Sequence, residues 1–168
     1  MKRVLTVLSL SVASLVVGVT AAPGTASAEE RTCRGTIGAR TVDNLRVPSG
    51  ATCRLQGTSV QGTVKVERNA KLFAENIRVI GNVQAENHRH VAVIGARVGG
   101  SIQLKQGGSA TLRRNVVGQD VQLFTNNGTQ TVTRNRIDGN LQCKENRPAP
   151  TGGGNVVGGN KEDQCRRL

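Results

Sequence analysis

The sequence has very few aromatic residues. It contains no tryptophan and no tyrosine, and Phe73 and Phe124 are its only phenylalanines. Globular cores normally take much of their bulk from aromatic side chains, so this core must be built from valine, isoleucine, leucine and alanine. With 21 glycines, such a composition favours thin repetitive layers over helices packed on a sheet. The shortage of aromatics also argues against sequence-specific nucleic-acid binding, because these side chains stack on bases.

The N-terminus has the features of an export signal. Lys2 and Arg3 precede a mostly apolar run over residues 4–19, and an Ala-Ser-Ala cleavage site ends at Ala28. A membrane anchor is the alternative, but the run is short for a span. We therefore expect a signal peptide over residues 1–28, cleaved after Ala28, and a secreted or cell-envelope protein without a membrane span.

The mature chain that this cleavage would leave, residues 29–168, is strongly basic. Loss of Lys2 and Arg3 lowers the formal net charge from +12 to +10. A basic exported protein is attracted to anionic surfaces such as wall polymers and acidic polysaccharides. Its 140 residues suffice for one domain with its own core.

An internal repeat of about 19 residues runs through the mature chain. A central apolar residue recurs at spacings of 19, 19, 19 and 20, at Val64, Val83, Ile102, Val121 and Leu141. Two stretches in each period alternate apolar and polar residues, and a third apolar position follows. Alternation is the pattern of a strand with one buried face. An antiparallel β-sandwich is the alternative, but matched residue types at a fixed period favour stacked coils.

The predicted fold is therefore all-β, a single-stranded parallel β-helix of about six rungs, each with three short strands. Here a rung is one complete turn of the solenoid. A cap is expected from about residue 144, where prolines and glycines interrupt the repeat and charged residues end the chain. Because both ends look protected, we expect a monomer rather than an oligomerising scaffold.

The four cysteines fit this repeat. Cys33 and Cys53 are 20 residues apart, and Cys143 and Cys165 are 22 apart, so each pair spans about one rung. Neighbouring strands lie about 4.8 Å apart, within the Cα separation that a disulfide accepts. We predict the pairs Cys33–Cys53 and Cys143–Cys165, one at each end. A metal site is the alternative, but the chain has no Cys-x-x-Cys motif.

Two further columns are predicted to be structural. Gly62, Gly81, Gly100 and Gly139 precede the first strand of successive rungs and mark sharp corners, at which a positive φ would favour glycine. Gln119 takes this place in one rung after Gly118, so a shifted corner is expected there. A second column runs outward along the first sheet and should form a ladder of hydrogen-bonded amides: Gln84, Gln103, Gln122 and Gln142.

From Cys33 to Cys165 the pattern resembles the right-handed parallel β-helix proteins of the pectate-lyase-like superfamily. The Gly-Asn-Val/Leu-Gln rungs and the closing Gly-Gly-Asn are similar to those of short secreted bacterial members. The resemblance implies the fold. It also implies a place to look for catalysis, because polysaccharide lyases of this fold combine acidic metal ligands with a basic lysine or arginine. This chain lacks the large loops that form the lyase cleft.

Three residues are candidates for catalysis. Glu67 and Glu86 fall in one outward column on adjacent rungs, and Lys105 follows them. Two neighbouring carboxylates can bind Ca²⁺ or act as an acid/base pair. The alternative is a surface ion ladder closed by Lys105. His88 and His90, the only histidines, could bind a metal or act as a base, but a solvated turn is the favoured interpretation. No metal or other cofactor is predicted.

An arginine face is the more suggestive feature. Its members share one outward column or lie in the turns before it: Arg78, Arg97, Arg113, Arg114, Arg134 and Arg136. A stripe of guanidinium groups matches repeating anions on a polymer, although a solvated face is the alternative. The sequence thus predicts an exported, non-catalytic rod that adheres to anionic envelope or extracellular polymers. The alternative function is a polysaccharide-active, lyase-like enzyme that uses Glu67, Glu86 and Lys105.

Overall fold

The structure is a computed structural model that describes residues 29–168. The predicted signal peptide and its cleavage site lie outside the described residues. In chain order the strands are β1 (Glu30–Thr32), β2 (Thr36–Ile37), β3 (Thr41–Val42), β4 (Asn44–Val47), β5 (Thr52–Gln56), β6 (Ser59–Val60), β7 (Val64–Val66), β8 (Lys71–Glu75), β9 (Arg78–Val79), β10 (Val83–Glu86), β11 (His90–Ile94), β12 (Arg97–Val98), β13 (Ile102–Lys105), β14 (Ser109–Arg113), β15 (Val116–Val117), β16 (Val121–Phe124), β17 (Gln130–Thr133), β18 (Arg136–Ile137), β19 (Leu141–Lys144), β20 (Thr151–Gly153), β21 (Val156–Val157) and β22 (Lys161–Asp163).

These strands form three parallel sheets. Sheet A has eight strands in the order β1-β4-β7-β10-β13-β16-β19-β22, sheet B has seven from β2 to β20, and sheet C has seven from β3 to β21. Neighbours in each sheet come from consecutive rungs, and their register advances by 19 residues through most of the rod. The chain is therefore a parallel β-solenoid, and the described part contains no helix.

The solenoid has about seven rungs, one more than the sequence predicted. The additional strands lie at the ends, where Glu30–Thr32 pairs with β4 and Lys161–Asp163 pairs with β19. The repeat is hard to recognise there because polar and glycine residues replace the aliphatic ones. The segment predicted as a cap from about residue 144 contains three of the strands, β20, β21 and β22.

The core is a stack of aliphatic layers, as the alternation of the repeat predicts. In sheet A, Val64, Val83 and Ile102 lie in register and are fully buried. Sheet C contributes a single buried column, made of Val60, Val79, Val98, Val117 and Ile137. The spacing of 20 in the sequence repeat reflects one additional residue between β16 and β17, because Ala110 pairs with Gln130.

Both predicted disulfides are present. Cys33 and Cys53 have Cα atoms 5.5 Å apart, and those of Cys143 and Cys165 are 5.2 Å apart. All four cysteines are buried, and Leu168 packs beside Cys165 at the C-terminal end of the core. Each end of the rod is thereby joined to the next rung inward.

The predicted glutamine ladder on sheet A is also confirmed. The side-chain amide of Gln84 donates to Gln103 at 3.2 Å, Gln103 donates to Gln122 at 3.1 Å, and Gln122 donates to Gln142 at 2.8 Å. Gln142 then donates to the carboxylate of Glu162 at 2.9 Å. The ladder therefore has a direction, with an unused carbonyl oxygen on Gln84 at one end and a carboxylate at the other.

The corner glycines are explained by close contact and not by a positive φ. None of Gly62, Gly81, Gly100 and Gly139 has a left-handed backbone. A side chain on Gly62 would meet the amide oxygen of Asn44, which instead accepts the N–H of Thr63 at 2.9 Å. The same contact recurs up the rod, so the ladder of polar side chains at this corner requires the glycines beside it.

The expected shift of the corner at Gln119 does not occur. The N–H of Gln119 donates to Gly100, and the carbonyl of Gln119 accepts from Gly139, both at 3.2 Å, so the column stays in register. The residue one rung below Asp120 is Ser101, whose side chain is shorter than asparagine. The shorter side chain leaves room for that of Gln119, whose amide oxygen accepts the hydroxyl of Ser101.

Two ladders of buried asparagines were not predicted. In one, Asn115, Asn135 and Asn155 stack at the corner between sheets B and C. The amide oxygen of Asn135 accepts the N–H of Asn115 at 3.0 Å, while its amide nitrogen donates to the carbonyl of Leu112 at 3.0 Å. The second ladder lies at the corner between sheets A and B, where the amide oxygen of Asn146 accepts the N–H of Asn126 and the amide nitrogen of Asn126 donates to the carbonyl of Leu104. These side chains satisfy backbone groups that the corners take out of the sheets.

Candidate functional site

The predicted arginine column lies along sheet C. Arg78 and Arg97 are register partners on neighbouring strands, Val116 comes next, and Arg136 follows it. Neighbouring strands are about 4.8 Å apart, so Arg78 and Arg97 form a close pair of like charges. All three arginines are exposed.

The other three arginines lie at the corner that leads into sheet C. Arg113 ends β14, and Arg114 follows it with a left-handed backbone, φ 55°. Arg134 occupies the next place in that column with φ 54°. The six residues of the arginine face thus lie on sheet C, at the corner before it and, for Arg113, at the adjoining end of a sheet B strand.

Most of the arginine face has no acidic partner. Arg136 lies 3.6 Å from Asp138, and both side chains are more than half exposed. Within residues 29–168 the other five arginines have no carboxylate within 4.0 Å. Their charge therefore faces solvent without local compensation.

The charges of the rod are distributed unevenly. All of the acidic residues except Glu75 and Asp138 lie within or directly beside strands of sheet A. By contrast, ten basic residues lie within or directly beside strands of sheets B and C: Arg40, Arg54, Lys71, Arg78, Arg89, Arg97, Arg113, Arg114, Arg134 and Arg136. Most of the positive charge excess is therefore on sheets B and C.

A shallow groove of about 250 Å³ runs along the arginine column. Its lining includes Arg78, Arg97 and Val116 of the column together with Gly99 and Gly118. Ile80 lies in the same groove and is 47% exposed. Val156, two places beyond Val116 in this column, is 62% exposed. The face thus combines unpaired guanidinium groups with exposed aliphatic groups.

Glu67, Glu86 and Lys105 line a second groove, of about 670 Å³, on the side of sheet A. The carboxylate of Glu67 accepts the N–H of Ser49 at 3.0 Å and its hydroxyl at 3.2 Å, and Arg46 lies 3.6 Å away. The Ser49 N–H, then its hydroxyl and the charges of Arg46 and Lys65 hold the pKa of Glu67 below its usual value. Glu67 is therefore ionised at neutral pH and is poorly suited to act as a general acid.

Glu86 and Lys105 are register partners on β10 and β13, but they do not form an ion pair within 4.0 Å. The ammonium group of Lys105 lies 5.9 Å from the ring centre of Phe124, one rung further on. The predicted ion ladder is thus incomplete, and no carboxylate or cationic group of the described residues pairs with Glu86.

The expectation of a solvated histidine turn is wrong for His88, which is 2% exposed. Its ring lies against Gly107, where a side chain would collide with it, and neither ring nitrogen has a hydrogen-bond partner within the described chain. Burial lowers the pKa of His88 to about 4, and the nearby charge of His90 adds to the shift. His90 is half-buried, and its ring nitrogen contacts the Ser109 hydroxyl at 2.8 Å.

Among residues 29–168 no group of three or more His, Cys, Asp or Glu side chains is placed to hold a metal ion. The same residues contain no helix that is long and apolar enough to cross a bilayer. Two disulfides are typical of a protein from an oxidising, extracytoplasmic environment.

These features define the class of the protein as a short, disulfide-linked parallel β-solenoid with a basic face. Comparison of the chain with family models, curated proteins and solved structures finds no match.

Proposed function

We propose that the protein is an exported, non-catalytic β-solenoid that binds an anionic envelope or extracellular polymer through its arginine face. The main observation behind this proposal is that five arginines on sheet C and the adjoining ends of sheet B strands lack acidic partners, whereas nearly all acidic residues lie in or beside strands of sheet A. A surface of one charge sign attracts polymers of the opposite sign. Guanidinium groups are also the best donors for carboxylate and phosphate oxygens.

The shape of the face suits a linear polymer. Arg78 and Arg97 project from successive rungs, and Arg136 projects from the same column two rungs beyond Arg97. Cations separated by one or two rung spacings along a rigid rod can contact anions that recur along a chain, and many weak contacts then add up. The parallel stacking holds the arginine backbones in place, so little ordering of the protein is needed on binding.

The remaining predictions belong to the same proposal. A signal peptide removed after Ala28 would export the chain to an oxidising compartment, in which its disulfides can form. Membership of the pectate-lyase-like superfamily of bacterial β-helices would account for the fold, with binding in place of catalysis. We propose that the rod acts as a monomer.

The test is retention of the mature chain on immobilised polyanions, with polygalacturonate and polyphosphate as probes and neutral dextran as the blank. We expect retention at low salt and release at high salt, because exposed charges are screened. Replacing Arg78, Arg97 and Arg113 by glutamine should weaken retention at least about tenfold. The matched control removes three charges elsewhere, at Lys144, Lys161 and Arg166, and should have a much smaller effect. Retention that does not depend on salt, or equal losses in both variants, would refute the proposal.

Cleavage of acidic polysaccharide is the second candidate function. It is favoured by one observation, the convergence of Glu67, Glu86 and Lys105 on a single groove. The hydrogen bond from Ser49 lowers the pKa of Glu67 and keeps its carboxylate ionised. This supports a role of Glu67 in binding and not in acid/base catalysis. The enzyme candidate predicts turnover of polygalacturonate with added Ca²⁺ that the Glu86→Gln substitution abolishes. No turnover, or turnover that survives the substitution, would eliminate it.

A further inference from the structure

The larger groove on sheet A has a different character from the arginine face. It extends from Ser49 in the second rung to Lys105 in the fifth, a length of about 14 Å at the usual strand spacing. Its volume of about 670 Å³ lies within the range of small-ligand sites. Polar and charged residues predominate in its lining, with Val66 and Ala85 as the exceptions, and no aromatic ring contributes to it.

Two hydrogen-bond acceptors face this groove without a partner of their own in the described chain. One is the carboxylate of Glu86, since Lys105 is directed to Phe124 instead. The other is the carbonyl oxygen of Gln84, because every amide of the ladder donates in the direction of Glu162. Such chains of amides polarise one another, so this free oxygen at the start of the ladder is a strong acceptor.

Cationic groups flank the two acceptors along the rod. Lys65 is the register partner of Gln84 on the preceding rung, and Lys105 is the partner of Glu86 on the following rung. Neither lysine has an acidic partner within 4.0 Å among residues 29–168. Glu67 and Arg68 also line the groove on the rung of Lys65, but the Glu67 carboxylate is taken up by Ser49 and Arg46. The groups left without a partner are therefore a cation on one rung, acceptors that include an anion on the next, and a cation on the third.

We infer that this groove binds a zwitterionic oligosaccharide, one in which amino sugars alternate with sugar acids. An ammonium group would contact Glu86 and Gln84, and carboxylates on the neighbouring sugars would contact Lys105 and Lys65. A pyranose ring is about as long as one rung spacing, so successive sugars can meet successive rungs. The polar lining matches sugar hydroxyls. The paired strands of sheet A leave no free backbone edge in the groove for a peptide to join.

The probe is a tetrasaccharide of alternating glucosamine and glucuronic acid, titrated into the mature protein by calorimetry. Two related saccharides serve as controls. The N-acetylated tetrasaccharide keeps only the carboxylates, and chitotetraose with free amines keeps only the ammonium groups. We expect the zwitterionic compound to bind at least about tenfold more tightly than either control, because it alone satisfies both charges.

Matched variants locate the site. Glu86→Gln should weaken binding about tenfold, and Lys105→Gln should weaken it by a smaller factor. Two controls should leave binding unchanged: Lys144→Gln, in the same column two rungs beyond Lys105, and Glu75→Gln on sheet B. Glutamine variants of Arg78, Arg97 and Arg113 should also leave it unchanged, which separates this site from the arginine face.

Three results would overturn the inference. They are equal binding of the N-acetylated compound, unchanged affinity in the Glu86→Gln protein, and no heat at millimolar ligand while the fold is intact by circular dichroism. Binding of a charged peptide in place of every saccharide would likewise refute it.

Discussion

Arg78 and Arg97 lie directly opposite each other on adjacent strands of sheet C, and neither has a carboxylate within 4.0 Å in the described chain. Like charges that face each other across a strand pair reduce stability. This repulsion lies within the face that we propose binds anions. Functional surfaces are often less stable than they could be for this reason.

This pair gives a prediction in which stability and binding move in opposite directions. Arg97→Val should raise the free energy of unfolding by about 0.5 kcal/mol and weaken retention on polyanions. Arg136→Val is the matched control, because Arg136 has valines on both neighbouring strands. It introduces the same side chain without relieving a repulsion, and the contact with Asp138 that it removes is too exposed to contribute much stability. Urea unfolding of both variants measures the difference, and an equal gain in both would show that the valine alone is responsible.

The buried asparagine ladder should be a major source of stability. Asn135→Ala removes the acceptor of the Asn115 N–H and the donor to the Leu112 carbonyl, both in a buried corner. Leaving such groups unpaired should lower the free energy of unfolding by about 3 kcal/mol. Asn127→Ala, at an exposed position of the same rung, should change it by less than about 0.5 kcal/mol. Similar effects at the two positions would contradict this account of the corners.

His88 should make the stability depend on pH. Its pKa is about 4 in the folded chain and near 6.5 when unfolded, so the unfolded state binds the proton first. His88 therefore leaves the free energy of unfolding unchanged above pH 6.5 and lowers it as the pH drops toward 4. Its full effect, reached below pH 4, is a loss of about 3 kcal/mol. His88→Asn should flatten the curve between pH 6.5 and 4, apart from the contribution of His90. An unchanged curve in the variant would show that another group is responsible.

The Cys33–Cys53 disulfide should protect one end of the rod. It closes a loop of 20 residues, so its replacement by two alanines should cost about 3 kcal/mol. In a solenoid each rung contacts only its neighbours, and the loss should be local. Hydrogen exchange should accelerate in β4 and β5 and stay unchanged in β16 and β19. Uniform acceleration along the chain would show that the rod unfolds as one unit.

Much of the fold could be predicted because the repeat sets the register. Once Val64, Val83 and Ile102 share a column, the glutamine ladder and the cysteine pairs follow from their positions in the same period. The buried polar residues could not be found in this way, since polarity suggests the surface. The available signal was the recurrence of Asn115, Asn135 and Asn155 at a spacing of 20, directly before the strands of sheet C.

The candidate sites were predictable only in part. The shared column of Arg78 and Arg97 follows from the period, and so does that of Glu86 and Lys105. Which of these side chains pair with others depends on their conformations, which the sequence does not specify. Lys105 turning toward Phe124, and the tie between Ser49 and Glu67, therefore became visible only in three dimensions.

The most direct test of the proposed function is a map of the polyanion contact by NMR. Backbone amide shifts of the mature chain would be followed while polyphosphate is added at low salt. We predict perturbations concentrated on sheet C and the corner before it, at residues 78–80, 97–99, 113–118 and 134–136, which disappear at high salt. Perturbations concentrated on sheet A, or spread evenly over the rod, would contradict the assignment of the arginine face as the binding surface.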